Sequence, residues 1–262
     1  MSRRPGVILG YHGIADVEPA LDPVRLFVSP DKLRRQLQKL RDRGYELITA
    51  SEFAARLSRT GSPPEAACAL TFDDGTQDHA TVLPEILAEF GARGTVYVCP
   101  GLLGQTYPWA GEAARVRFMT RPEFDEMASH PAIEVGAHTN EHTELDSADH
   151  DTALRLMTEC RQVLEDWTGR AVPSFCYPRC HYSPAAAEAA PEAGYTNAVT
   201  CGPRGSWDPF ELRRESMHTP DGPVTFGLKS RGLYYPLRDH GPARIARWLT
   251  RPYRHRRERA GR

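Results

Sequence analysis

Short apolar runs rich in strand formers alternate with helical segments along most of the chain, and this alternation restricts the fold more than any other feature. Val7 to Tyr11, Tyr45 to Thr49, Ala67 to Phe72, Thr95 to Cys99, Ile133 to Ala137, Pro173 to Tyr177 and Tyr195 to Thr200 read as strands. Between them lie segments with helical spacing and helix punctuation. Ser29-Pro30 caps a helix carrying Leu33, Leu37 and Leu40 that Gly44 ends, and Ser51 is expected to cap a short helix through Leu57. Val82, Ile86, Leu87 and Phe90 form a further helical face, followed by helices over Thr120 to Ala128, over Asp149 to Trp167 and after Ser183-Pro184.

Strands separated by helices imply a parallel sheet with right-handed crossovers. Seven such units nearly close a ring, so the expected fold is a distorted (β/α)7–8 barrel over residues 1–243, with an Arg-rich tail at 244–262. An open doubly wound sheet is the alternative, but no Gly-x-Gly-x-x-Gly follows the first strand, which weakens its nucleotide-binding form.

Charge and cysteine usage narrow the function classes. With 33 Lys+Arg against 34 Asp+Glu, the chain lacks the cationic excess that phosphate neutralisation needs, and no nucleic-acid partner is expected. The balance is uneven, since Arg247 to Arg262 carry seven Arg and one Glu. That tail reads as a solvated end or as a peripheral contact with anionic lipid. The longest apolar runs fall short of the roughly 18 residues of a membrane span. Val7-Ile8-Leu9 is too short for a secretory apolar region of about 7 to 15 residues, so a cytoplasmic location is expected. Six cysteines in this length do not suggest a disulfide framework, and Cys68, Cys99 and Cys176 lie within apolar runs as small hydrophobes.

Catalytic groups of parallel barrels collect where strands end. Asp73-Asp74-Gly75 follows the third run, His138 and His142 the fifth, Pro178-Arg179-Cys180-His181 the sixth, and Tyr11-His12 closes the first. Adjacent carboxylates repel unless a proton or cation lies between them; a solvated Asp-Gly turn is the plainer reading of that pair alone. His-x-x-x-His brings two imidazoles within reach of one ion, although alone it also describes two surface histidines. Taken together, two His and a carboxylate suit zinc or a similar divalent ion and leave positions open for water and substrate.

Thr71-Phe72-Asp73-Asp74-Gly75, the His138/His142 pair and Phe175-Cys176-Tyr177-Pro178-Arg179 resemble the first three motifs of the polysaccharide deacetylase (NodB-homology) family. Gly10-Tyr11-His12-Gly13-Ile14 is similar to the opening of its Tyr-His branch, and the resemblance covers about residues 7 to 230. It implies a distorted barrel, a divalent metal, and hydrolysis of N-acetyl groups on amino sugars. Asp73 would then be the general base, and Asp74, His138 and His142 the metal ligands. Zn2+ is the expected ion, with Co2+, Mn2+ and Ni2+ as alternatives. An N-acetylated saccharide or glycoside is the expected substrate. Formyl or ureido hydrolysis at the same site, and a catalytically silent carbohydrate-binding barrel, are the rivals.

Three positions depart from the pattern. Cys180 stands where a Gly is usual, suggesting a reshaped loop or a negative φ, with a tolerated small side chain or a reactive thiol as its roles. The family often pairs an Arg with the base, and Arg179 and Arg214 are both candidates. Arg179 also marks the backbone N–H expected to hold the tetrahedral intermediate. The usual Leu-x-His is missing, which leaves His218, at the end of the last strand-like segment, as the candidate general acid, with His12 as the alternative.

Overall fold

In the computed structural model, which describes residues 4–111, 116–202 and 205–239, the apolar runs form one sheet with every strand pairing parallel. In chain order the strands are β1 (Val7–Tyr11), β2 (Glu46–Ile48), β3 (Ala67–Phe72), β4 (Gly94–Val98), β5 (Ile133–Ala137), β6 (Ser174–Cys176), β7 (Asn197–Val199) and β8 (Glu215–Ser216). The helices are α1 (Pro30–Asp42), α2 (Ala50–Thr60), α3 (Asp78–Thr81), α4 (Leu83–Glu89), α5 (Arg121–Ser129), α6 (His150–Thr168), α7 (Pro184–Glu192), α8 (Pro223–Lys229) and α9 (Tyr234–Asp239). The spatial order is β7-β6-β5-β4-β3-β1-β8, with β2 beside the first half of β3 and β4 beside its end. The two edges of this curled sheet approach where Val199 bridges Leu212 and the Gly202 N–H donates to the Arg214 carbonyl. The result is a distorted (β/α) barrel, as the alternation implied.

Local chemistry explains most of the boundaries. Ser29 accepts from the Lys32 N–H at the start of α1, and its apolar face buries Leu33, Leu37 and Leu40, each worth about 1.5–3 kcal/mol. The cap of α2 is Thr49 rather than Ser51. Thr49 and Glu52 exchange hydrogen bonds in a capping box, and a β-strand running directly into its cap hides this from a reading by periodicity. Asp149 caps α6, and Gly169 ends it with φ +63°. Strands β3 and β1 are buried throughout, as expected of a sheet covered on both faces. The Arg-rich segment 244–262 lies outside the described residues.

Candidate active site at the barrel mouth

The carboxyl ends of β1, β3, β5, β6 and β8 open onto a cleft of about 460 Å³, lined among others by His12, Asp73, Asp74, His138, His142, Arg179 and His218. The sequence-marked residues therefore reach one place, but they do different things there.

Asp73 continues β3, with its N–H on the Tyr11 carbonyl, and is buried. Both of its oxygens are engaged by Arg214, Nη1 to Oδ1 and Nη2 to Oδ2, each at 2.7 Å. Arg214 is itself 1% exposed and fixed by four more contacts, Nε to the Thr200 carbonyl at 3.0 Å, Nη1 to Thr71 Oγ1 at 3.0 Å, and Nη2 to Cys176 Sγ at 3.1 Å and to Cys201 Sγ at 3.6 Å. Burial pushes the Asp73 carboxyl up, but the Arg214 charge and its paired hydrogen bonds outweigh this and hold it below the usual carboxylate range. Gly10 makes the approach possible, since a Cβ there would lie 3.3 Å from the Arg214 guanidinium.

Of the two arginines considered beside the base, Arg214 is the partner and Arg179 is not. The Arg179 side chain is half exposed at the rim, with Nε 2.8 Å from Glu144 Oε1 and its guanidinium 5.7 Å from the Trp109 ring centre. Its backbone has φ +51° in a 3-10 turn whose next two N–H groups, those of Cys180 and His181, bond to the Tyr177 and Pro178 carbonyls. Cys180 has φ +60°, so the loop keeps the left-handed backbone that suits a glycine, against the expected negative φ. Nor is it a spectator or a reactive thiol, because Cys180 is bonded to Cys201 across a Cα separation of 5.4 Å. This corrects the reading of Cys180, whereas Cys68, Cys99 and Cys176 are free and buried as expected. No spacing rule pairs two cysteines 21 residues apart on neighbouring strand ends.

Asp74 is buried, with φ +80°. Its Oδ2 accepts from the Tyr107 hydroxyl at 2.5 Å. Its Oδ1 is buried without a hydrogen-bond partner, and lies 3.4 Å from His138 Nε2 and 3.5 Å from His142 Nε2. His138 leaves β5 with its N–H on the Val98 carbonyl. Its Nδ1 lies 2.7 Å from the Cys176 carbonyl, which only accepts, so Nδ1 carries a proton and Nε2 is the ring nitrogen turned to Asp74, whose carboxylate favours the charged imidazole. The His142 ring packs at 4.5 Å against Trp109, and burial together with His138 pushes its imidazole down to about 4, leaving it neutral. One carboxylate oxygen without a partner, facing two imidazoles, is a donor set that could hold a divalent ion. Tyr107 and Trp109 escaped the sequence reading because their loop carries neither strand alternation nor a metal-ligand spacing.

Both candidate acids line the cleft. Burial, with Lys229 nearby, pushes the His218 imidazole down to about 4. His12 Nε2 lies 4.0 Å from Asp73 Oδ2, and its Nδ1 is buried without a partner.

A family model described as "Polysaccharide deacetylase" matches residues 60–198, more than half of the chain. The chain belongs to the polysaccharide deacetylase family. Among curated relatives it resembles the polysaccharide deacetylase homologue YxkH of Bacillus subtilis (strain 168), at 24% identity over 196 residues. That match covers 75% of this chain and 64% of the relative's length. Among solved structures it is similar to the Streptococcus pyogenes deacetylase PplD in complex with acetate, at 25% identity and a TM-score of 0.72 over 87% of this chain and 99% of that one. IcaB of Ammonifex degensii shares the fold at 18% identity and a TM-score of 0.68, over 88% of this chain and 97% of its own.

Proposed function

We propose that the chain is a metal-dependent N-deacetylase that hydrolyses the acetamide of an N-acetylated amino sugar within a saccharide or glycoside. The observation that carries this reading is the buried, partnerless Asp74 Oδ1 between two imidazole Nε2 atoms, beside a second carboxylate locked in the ionised form. Acetate in the complex of the Streptococcus pyogenes relative is the acid that such a reaction releases. A divalent ion held by Asp74, His138 and His142, zinc in the first instance, would supply Lewis acidity to the acyl oxygen and acidify water.

The chain's own groups do the rest. Asp73 accepts the proton of the attacking water. Arg214 favours the ionised form of Asp73 and fixes its rotamer, which lowers its basicity but keeps it ready to accept a proton. The Arg179 peptide N–H is assigned to the developing oxyanion. As the C–N bond breaks, His12 gives its proton to the departing amine, so the products are acetate and the free amino sugar. His218, which also lines the cleft, is the second candidate for that role.

Acetate release from a panel of N-acetylated sugars, compared with formate release from N-formyl analogues, tests the reaction. Turnover on the acetyl compounds that disappears on chelation and in Asp73→Asn supports it. Ligand binding without turnover in metal-loaded protein points instead to a silent carbohydrate-binding barrel. The Cys180–Cys201 bridge is of a kind that persists in oxidising compartments and pulls against the cytoplasmic expectation. Alkylation of the protein in intact cells distinguishes the two settings, because only the reduced form takes label at Cys180.

A further inference from the structure

The connection from β4 to α5 contributes no residue to the motifs, yet it enters the cleft floor. Tyr107 is 1% exposed, and its hydroxyl is spent on a single acceptor, Asp74 Oδ2, at 2.5 Å. The ring is wedged among Trp109, Phe118 and Phe27, with centroids 5.0, 5.3 and 5.9 Å away. The backbone behind it is tied to the turn after Asp74. The Met119 N–H donates to the Gly75 carbonyl at 3.0 Å, Thr76 bridges Phe118, and Thr106 bridges Arg117. The hydroxyl therefore has little freedom to move away from the carboxylate.

A carboxylate can present one oxygen or both, and rotation of the Asp74 group would carry either toward the imidazoles. With Oδ2 committed to Tyr107, only Oδ1 is left facing His138 and His142, where it has no other partner. We propose that Tyr107 is a positioning residue for the ion site, its hydroxyl selecting the single Asp74 oxygen that serves as ligand. The inference deepens the functional reading above and rests on it.

Ion affinity of the full-length chain decides the matter. Zn2+ is titrated against a competing chelator into the parent, Tyr107→Phe and Phe118→Leu, and the visible absorption of each Co2+-loaded form is recorded. Tyr107→Phe keeps the packed ring and loses only the hydroxyl. Its Zn2+ affinity should fall about 10- to 100-fold, with a changed Co2+ spectrum. Phe118→Leu loosens the same aromatic cluster but keeps the hydroxyl, so it should melt earlier yet bind Zn2+ as the parent does. Parent-like affinity in Tyr107→Phe overturns the inference, as does an equal loss in Phe118→Leu, which would assign the effect to loop packing. If the parent itself binds no stoichiometric Zn2+, the metal reading falls and this inference with it.

Discussion

Asp73 and Asp74 are chain neighbours, both buried, yet they face opposite solutions to the same electrostatic problem. Asp73 is neutralised inside the protein, by an arginine that reaches it from 141 residues further along the chain. Asp74 is left with one oxygen hydrogen-bonded and one bare, next to two histidines instead of a fixed cation. A buried carboxylate without compensation costs several kcal/mol, and the first arrangement supplies that compensation with a fixed guanidinium, whereas the second leaves it to imidazoles and leaves one oxygen without a hydrogen bond. The difference separates a group whose charge is paired within the fold from one that carries the candidate ion site. Glu215 provides a third case. It is buried with neither oxygen hydrogen-bonded, and burial pushes its carboxyl up to about 7, but it lies outside the cleft and no imidazoles converge on it. A bare carboxylate is thus a metal-site signal only when neutral ligands meet it.

Exchanging each acid for its amide breaks the comparison most sharply. Asp73→Asn should lower acetate release by about 10²–10⁴-fold while the protein retains its metal, whereas Asp74→Asn should lose both, as elemental analysis after dialysis would show. Equal metal loss in the two would erase the distinction. Next in size is Arg214→Leu, which strands the buried Asp73 charge. Urea unfolding should show a loss of about 3–5 kcal/mol at neutral pH.

That deficit should narrow in acid. Because the folded-state Asp73 value is depressed, its contribution to stability is present above the ordinary carboxylate value near 4 and disappears as pH falls through the folded value. Parent and Arg214→Leu curves that stay parallel down to pH 3 would contradict the pairing.

The bridge on the Asp73 side comes third. Cys201→Ser removes a link closing a loop of 21 residues, and a loss of about 2–4 kcal/mol in unfolding free energy is expected, with Zn2+ affinity unchanged. A coupled loss of metal would show that the two halves of the site are not independent. The smallest effect belongs to Glu215→Gln. A raised folded value means that ionisation opposes folding as pH rises from about 4 to about 7, so the variant should melt higher than the parent at pH 8 and nearly alike at pH 4.

Much of this was legible in the residues themselves. The limits of β1, β3 and β5 coincide with the apolar runs, because a strand buried on both faces is mostly apolar, Glu134 in β5 being an exception, and ends where polar residues begin. The same rule marked Asp73, Asp74 and His138 as strand-end groups. His142 was legible from its spacing. The choice between Arg179 and Arg214 was not, because both follow strand-like segments and nothing local says which guanidinium turns inward. Gly10 held a clue, since a glycine inside a strand often marks a close approach, here that of Arg214. Tyr107, Trp109 and the Cys180–Cys201 pairing left no periodic trace at all.

The residues alone determined the alternating architecture and the types of chemistry at the strand ends, because period, capping and burial act over a few positions of chain. Only the folded molecule decided which charge meets which. The arginine on Asp73, the hydroxyl on Asp74 Oδ2 and the bond between Cys180 and Cys201 each join segments that the barrel brings together. Electrostatics and hydrogen bonds of that kind depend on ångström-scale proximity in space, which no local pattern of residues encodes.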